Sequence, residues 1–200
     1  MIDLNSTHDV NLKSWVDSAN EDSTDFPIQN LPLGVFRENE KEQFEVCISI
    51  LIDNAREQPQ VLVHRDYHSR NLMVLSSGSP GVLDFQDAVI GPITYDLVSL
   101  LRDCYITLSS DLIELLFDKF YENLDEKIRY SYSRNRFKRF FDLMGIQRHL
   151  KAIGIFSRLN YRDGKQNYLK DIPRTLDYIY HVSENYKELN FLRKLIPNIK

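Results

Sequence analysis

Three apolar runs of three or four residues, crowded into the 23 positions from Val61 to Leu83, constrain this chain more than any other feature. Val61-Leu62-Val63, Leu72-Met73-Val74-Leu75 and Gly81-Val82-Leu83 are too short for helices and read as small buried strands. Ser76-Ser77-Gly78-Ser79-Pro80 is a turn between the last two, so they close as a hairpin. Around them the pattern is helical. Residues 38–57 carry Phe44, Cys47, Ile48, Leu51, Ile52 and Ala55 at three- and four-residue steps, until Pro59 stops the helix. After Gly91-Pro92 the same spacing predicts helices over 96–105, 111–127, 134–159 and 172–186, with a short one over 190–196. Asp111 and Asp171 are read as N-caps, with Pro173 in the first turn after Asp171. So few strand residues do not make a sheet layer. The expected fold is α+β and mainly helical, a small β-hairpin packed under a helical bundle. Residues 1–37 are read as a poorly defined N-terminal segment, with one short periodic stretch at Leu12-Trp15-Val16, and residues 38–200 as the lobe.

The polar segment His64-Arg65-Asp66-Tyr67-His68-Ser69-Arg70-Asn71 is then a loop between strands. Asp66 precedes Asn71 by five residues, and Asp84 follows Asn71 by thirteen, at the end of the next strand. The hairpin brings Asn71 and Asp84 to one edge. A carboxylate and an amide oxygen there suit Mg²⁺, a hard cation that keeps several waters. Asp66, on the same loop, is placed to accept a proton from an attacking hydroxyl. These parts point to phosphoryl transfer. His64 is read as structural, its imidazole bonding backbone near Asp84, while His68 and Arg70 are read as bringing positive charge toward the transferred phosphate. A lone Asp-x4-Asn is usually a polar surface loop. Four residue types at fixed spacing on a strand–loop–strand–turn–strand pattern say more.

The His-x-Asp-x4-Asn loop with His68 two residues after Asp66, and Asp84-Phe85-Gln86-Asp87-Ala88 after it, resemble the aminoglycoside phosphotransferase and choline kinase superfamily, which has a protein-kinase-like fold. Within it, Gln58-Pro59-Gln60-Val61, the loop through Leu72-Met73, Gly81 to Ala88, Gly91-Pro92-Ile93-Thr94-Tyr95-Asp96-Leu97 and Arg162-Asp163-Gly164-Lys165 look most like the bacterial anomeric N-acetylmuramate/N-acetylglucosamine kinases of cell-wall recycling. The resemblance implies ATP and Mg²⁺ as cofactors and a small sugar as acceptor. It implies Asp66 as catalytic base and Asn71 and Asp84 as magnesium ligands. Asp96 matches an Asp that braces the catalytic loop or caps a helix, and both readings stand. Asp87 either assists the metal through water or stabilises the loop.

Such enzymes cover ATP with an upper lobe that brings a Gly-rich loop and a strand Lys. The 63 residues before His64 contain one glycine, Gly34, and no strand series; Lys13 and Lys41 are candidates only by default. The chain is therefore read as the C-terminal lobe alone, with the ATP-covering lobe absent. The isolated lobe is expected to be weak or inactive, and its uncovered face to take a separate N-terminal lobe or to self-associate. Rival readings are a catalytically inactive kinase-like binding module, or a kinase for another small alcohol or an aminoglycoside.

A net charge of −4 argues against a nucleic-acid partner. Cys47 and Cys104 have neither zinc nor disulfide-framework spacing. No run is long enough to span a bilayer, and the first ten residues lack the regions of a signal peptide, so no membrane partner and a cytoplasmic location are expected. Residues 129–151 hold seven Arg or Lys against one acid, Asp142. That is either a solvated helix face or a surface favouring a neutral or anionic acceptor. Phe137, Phe140, Phe141 and Met144 on this helix are read as core. Arg162 and Asp163 either belong to a Gly164-capped helix end or contact acceptor hydroxyls.

Overall fold

The computed structural model describes residues 38–196. Helix α1 (Glu38–Glu57) leads into strand β1 (Gln60–Val63). Short strands β2 (Leu72–Met73), β3 (Gly81–Val82) and β4 (Val89–Pro92) follow, and then helices only: α2 (Tyr95–Leu101), α3 (Ser110–Glu122), α4 (Glu126–Ser131), α5 (Arg134–Asp163), α6 (Ile172–Ser183) and α7 (Asn190–Leu195). The expected mainly helical α+β lobe is what forms. The stretch Leu12-Trp15-Val16 and Lys13 lie outside the described residues.

Helix α5 organises the rest. At 1.5 Å per residue its 30 residues span about 45 Å. Its first half packs Phe137, Phe140, Phe141 and Met144 against Leu97, Val98 and Leu101 of α2 and Ile113 and Phe117 of α3. Another face, from Leu143 through Ile146 and Leu150 to Ile153, packs against Phe44, Cys47 and Leu51 of α1 and the apolar faces of α6 and α7. A helix buried on several sides needs no single apolar stripe. It starts at Ser133, whose hydroxyl accepts the N–H of Arg136, and ends at Gly164, left-handed at φ 65°.

The strands depart from expectation. β2 pairs antiparallel with β3, Leu72 opposite Val82, as the turn predicts. β1, however, pairs with β4, Gln60 opposite Pro92 and Val63 opposite Val89. Val89–Pro92 carried no strand expectation, since Gly91-Pro92 was read only as the point after which the chain turns helical. Instead Pro92 closes the ladder at its end, where a missing N–H costs least. Gly91 lets β4 approach β1, since a Cβ there would come within 2.8 Å of Val63 Cγ2. Nor are the strands fully buried: Val63 is, but Leu62 is 72% exposed, Met73 48% and Ile90 69%. Two-stranded ribbons with no layer over them among the described residues leave one face open.

Helix boundaries shift as well. The expected 111–127 helix breaks into α3 and α4, and α2 ends at Leu101 rather than 105. The α3 cap is Ser109, not Asp111; Ser109 Oγ accepts the N–H of Leu112. Asp171 holds the N-cap position of α6, but its carboxylate binds Arg174 at 2.7 Å instead of the helix N–H groups.

Candidate active site

The loop from His64 to Asn71 is held by carboxylates at two points. Asp96, in the first turn of α2, accepts the N–H of His64 at 2.6 Å and of Arg65 at 3.0 Å. Thr94 holds the cap position of that helix, and the Asp96 carboxylate is spent on the loop. Asp103, 2% exposed just after α2, accepts the N–H of Ser69 and of Tyr105, each at 2.8 Å. Between these grips Arg65 sits at φ 77°, an uncommon conformation for a residue with a side chain. Such strain persists only where surrounding bonds impose it, as these do.

Backbone atoms of Asp66 tie the loop to itself. Its carbonyl accepts the N–H of His68 at 2.9 Å and Nδ2 of Asn71 at 3.0 Å. Its N–H donates to His64 Nδ1 at 3.3 Å. With Nδ1 accepting, His64 Nε2 carries the proton and donates to the carbonyl of Leu83 at 2.8 Å. The N–H of Leu83 in turn donates to the carbonyl of Asn71 at 2.9 Å. Asp84 therefore follows a residue pinned from both sides by the His64–Asn71 loop, and is itself left-handed at φ 63°. Asp66, Asn71 and Asp84 are thus linked through one bonded segment.

Asn71 and Asp84 fit a phosphate-borne cation. The Asn71 amide nitrogen is engaged, so its oxygen is the end left for a metal. Asp84 accepts Gln86 Nε2 on Oδ1 and keeps a second oxygen. Among the described residues no group of three or more His, Cys, Asp or Glu is set to hold an ion. One amide and one carboxylate suit Mg²⁺ that arrives with phosphates and water rather than one caged by protein.

Asp66 also lines a cavity of about 190 Å³, with His68, Tyr95, Arg102, Asp103, Tyr105, Arg148, His149, Lys151 and Phe156 among its walls. His68 stands edge-on to Tyr105 at 5.2 Å, and Arg70 lies over the same ring at 3.6 Å. Burial, opposed by the charges of Asp103 and Asp66, lowers the His68 pKa below its ordinary value. Its ring is then neutral near pH 7 and does not supply the positive charge expected of it. The Asp87 carbonyl accepts Arg65 Nη1 at 3.3 Å, in line with loop stabilisation.

Other expected residues stay apart. Arg162 and Asp163 pair with each other at 2.7 Å at the exposed end of α5 and do not line the cavity. Phe156 does, and Arg162 lies about 9 Å farther along the helix axis. Lys41 is on α1 beside Glu45 at 3.7 Å, not on a strand. The basic run is mostly spent: Arg134 on Glu114 and Asp118, Arg136 on Glu57, Lys138 on Glu114 and Asp142, Arg139 on Glu188. Only its end, Arg148 and Lys151, reaches the cavity. Arg148 Nη1 donates to the Arg65 carbonyl at 3.0 Å, a contact across 83 positions that no local pattern announces. Asp103 was missed for a similar reason: its partner at Ser69 is 34 positions away.

His149 is wholly buried, stacked on Tyr178 at 4.9 Å, with Nε2 on the Arg102 carbonyl at 2.9 Å. Burial pushes its pKa from 6.5 to about 3. The unfolded chain takes up this proton below about 6.5 while the folded one does not, so the stability it supports is complete above that pH and drains as pH falls toward 3. The loss is up to about 1.4 kcal/mol per pH unit. His68, shifted in the same direction, adds to it. Urea unfolding between about pH 7 and 5 should show this slope, and His149→Gln, which keeps a donor for the Arg102 carbonyl, should flatten it. An equally steep slope in the variant would refute the assignment.

Among the described residues no helix is long and apolar enough to cross a membrane. Residues 8–129 match the Phosphotransferase enzyme family. An N-acetylmuramate/N-acetylglucosamine kinase of Neisseria meningitidis serogroup B is 45% identical over 161 residues, 80% of this chain and 48% of that protein. Proteins of the same name from Pseudomonas putida and Pseudomonas aeruginosa are 43% and 41% identical, over 82% and 84% of this chain and 49% and 50% of theirs. The chain spans about half the length of the curated relatives it matches.

Proposed function

The chain belongs to the Phosphotransferase enzyme family, and from that premise we propose that it is the acceptor- and metal-binding lobe of an ATP-dependent sugar kinase. Its acceptor is the anomeric hydroxyl of N-acetylmuramate or N-acetylglucosamine, in cytoplasmic cell-wall recycling. The observation that supports this reading is the bonded segment His64–Asn71–Leu83, which ties the backbone of Asp66 to Asn71 and to the residue before Asp84, next to a cavity that Asp66 lines. The names of the relatives support the acceptor.

In this reading Asp66 accepts the proton of the attacking hydroxyl, which leaves its oxygen free to take the γ-phosphoryl group. Asn71 and Asp84 hold Mg²⁺, which when bound neutralises phosphate charge and orients the phosphates. His64, Asp96 and Asp103 keep the loop in shape, and Asp87 does so through its carbonyl. Arg70 is the cation nearest to the loop's outer end. Arg162 and Asp163 would reach an acceptor only if the end of α5 moved toward it. We assign the ATP-covering half to polypeptide outside residues 38–196, and the exposed apolar side chains around Leu62, Phe85 and Ile90 to the face it covers or through which the lobe self-associates.

A second reading, a kinase-like module that binds without turnover, has one observation in its favour: among the described residues no Gly-rich loop or strand lysine stands over Asn71 and Asp84. The protein incubated with Mg·ATP and either sugar, followed by ³¹P NMR, tests both. Slow formation of an anomeric sugar phosphate is the expected result. Saturable Mg·ATP binding with no sugar phosphate formed, or no binding at all, sinks the kinase reading in favour of the module. Turnover at ordinary kinase rates would overturn the assignment of the covering half to other polypeptide.

A further inference from the structure

Asp66 is joined to Arg65 by a peptide whose two polar ends are both held. Its carbonyl belongs to Arg65 and accepts Arg148 Nη1 at 3.0 Å. Its N–H belongs to Asp66 and donates to His64 Nδ1 at 3.3 Å. A trans peptide is planar, with C=O and N–H pointing to opposite sides. Bonds at both ends therefore set its plane as well as its place. The plane needs setting, because Arg65 stands at φ 77°, a conformation that a residue with a Cβ keeps only when its surroundings impose it. Asp96 binds the N–H groups of His64 and Arg65, so its grip ends one peptide short of Asp66.

Of the two holds on that peptide, Arg148 is the firmer. Its donor is charged and the bond shorter, and charge-assisted bonds are about twice as strong as neutral ones. His64 belongs to the loop and moves with it. Arg148 comes from the middle of α5, where Ile146, His149 and Leu150 are core. Its guanidinium lies over the Tyr95 ring at 4.2 Å. Tyr95 and Asp96 are neighbours in the first turn of α2. One helix turn thus supports the loop twice, through Asp96 directly and through Tyr95 by way of Arg148. Arg134, Arg136 and Arg139, earlier on α5, bind carboxylates instead. Arg148 and Asp66 also line the same cavity, so a contact with sugar is the competing role for this arginine.

We propose that Arg148 is a positioning residue for Asp66: it fixes the plane of the Arg65–Asp66 peptide, and with it the aim of the Asp66 side chain at the acceptor hydroxyl. This rests on the sugar-kinase reading above, in which Asp66 is the base. Arg148 itself takes no proton and holds no phosphate. It acts from 83 positions away, through one carbonyl. Without it the strained turn at Arg65 is free to relax, and a base displaced by about 1 Å loses on the order of 10²-fold in rate.

Arg148→Met, measured beside the wild type in two ways, tests this. The first is hydrogen exchange by NMR, without sugar or nucleotide. The Asp66 amide should exchange about tenfold faster, the worth of one charge-assisted bond, while the core amides of α5 keep their protection. The second is sugar phosphorylation, in which kcat should fall about 10- to 100-fold. KM for the sugar should stay within about twofold, since with slow chemistry it reports binding. Added to Asp66→Asn, Arg148→Met should cost less than about twofold more, because the two act as one unit. Arg148→Lys keeps the charge and loses the planar fork; it should give the same pattern at smaller amplitude and serves in place of Arg148→Met should that variant not fold. Unchanged exchange at Asp66, a raised sugar KM with kcat kept, or losses that multiply in the double variant overturn the proposal. Faster exchange at Asp66 in a protein whose wild type phosphorylates neither sugar leaves the anchor standing and sinks the kinase reading.

Discussion

Asp66→Asn is expected to lower sugar phosphorylation by about 10²–10⁴-fold, the usual contribution of a positioned general base. Mg·ATP affinity and the unfolding midpoint should stay where they are. The substitution is clean because of how the loop is built. Within it Asp66 bonds through its backbone: the N–H to His64, and the carbonyl to His68 and Asn71. Exchanging carboxylate for amide keeps shape and scaffold and removes the proton acceptor. Asp96→Asn gives the contrast. Its carboxylate accepts two N–H groups, at 2.6 and 3.0 Å, and an amide turns one of those acceptors into a donor facing a donor. That variant should lose activity together with loop order, seen as faster hydrogen exchange at His64 and Arg65. Near-normal turnover in Asp66→Asn would remove Asp66 from the role of base.

The His64–Asn71 loop was legible because its pattern is written locally. Asp66, Asn71 and Asp84 fall within 19 residues, and the turn that folds β3 back on β2 is spelled out in Ser, Gly and Pro. Even the His64 contact with Leu83 could be anticipated. The cavity beside Asp66 was not legible, because its walls come largely from α2 and α5, with contacts 83 positions apart. The basic run was visible but read as one surface. Partners from α1, α3 and the segment before α7 consume its first half, and only tertiary packing separates Arg148 and Lys151 from Arg134 to Arg139. In the fold, long periodic helices survived and short elements did not. Val89–Pro92 has the residues of a breaker and becomes a strand because β1 lies beside it. Ser109 displaced Asp111 as a cap because the chain enters α3 two residues earlier than its apolar face suggests.

Asp142→Ala is expected to cost about 3–5 kcal/mol of stability, as breaking one side of a buried ion pair does. Asp142 is the one acid in the basic run, and it lies inside the protein. Its Oδ1 takes Arg102 at 2.5 Å and Lys138 at 3.1 Å, and its Oδ2 takes the Tyr186 hydroxyl at 2.8 Å. Burial first and the Asp142 charge second push the Tyr186 pKa above its ordinary value. Truncation strands the Arg102 guanidinium in the core, stacked on Phe141 at 4.4 Å with no counter-charge and with Nη1 already lacking a partner. The exposed pair of Arg136 with Glu57 is the control: Glu57→Ala should cost under about 1 kcal/mol, because water screens it. Urea unfolding measures both, and a loss below about 1 kcal/mol for Asp142→Ala would mean that the pair contributes no more than the surface one. Arg102→Met in the same chain should recover much of the loss, since an apolar side chain of similar volume carries no unpaired charge. The consequence reaches the site. Arg102 and His149 share a wall of the cavity beside Asp66, joined by the bond from His149 to the Arg102 carbonyl. Asp142 therefore holds that wall in place from behind, and its loss should weaken sugar binding as well as the fold.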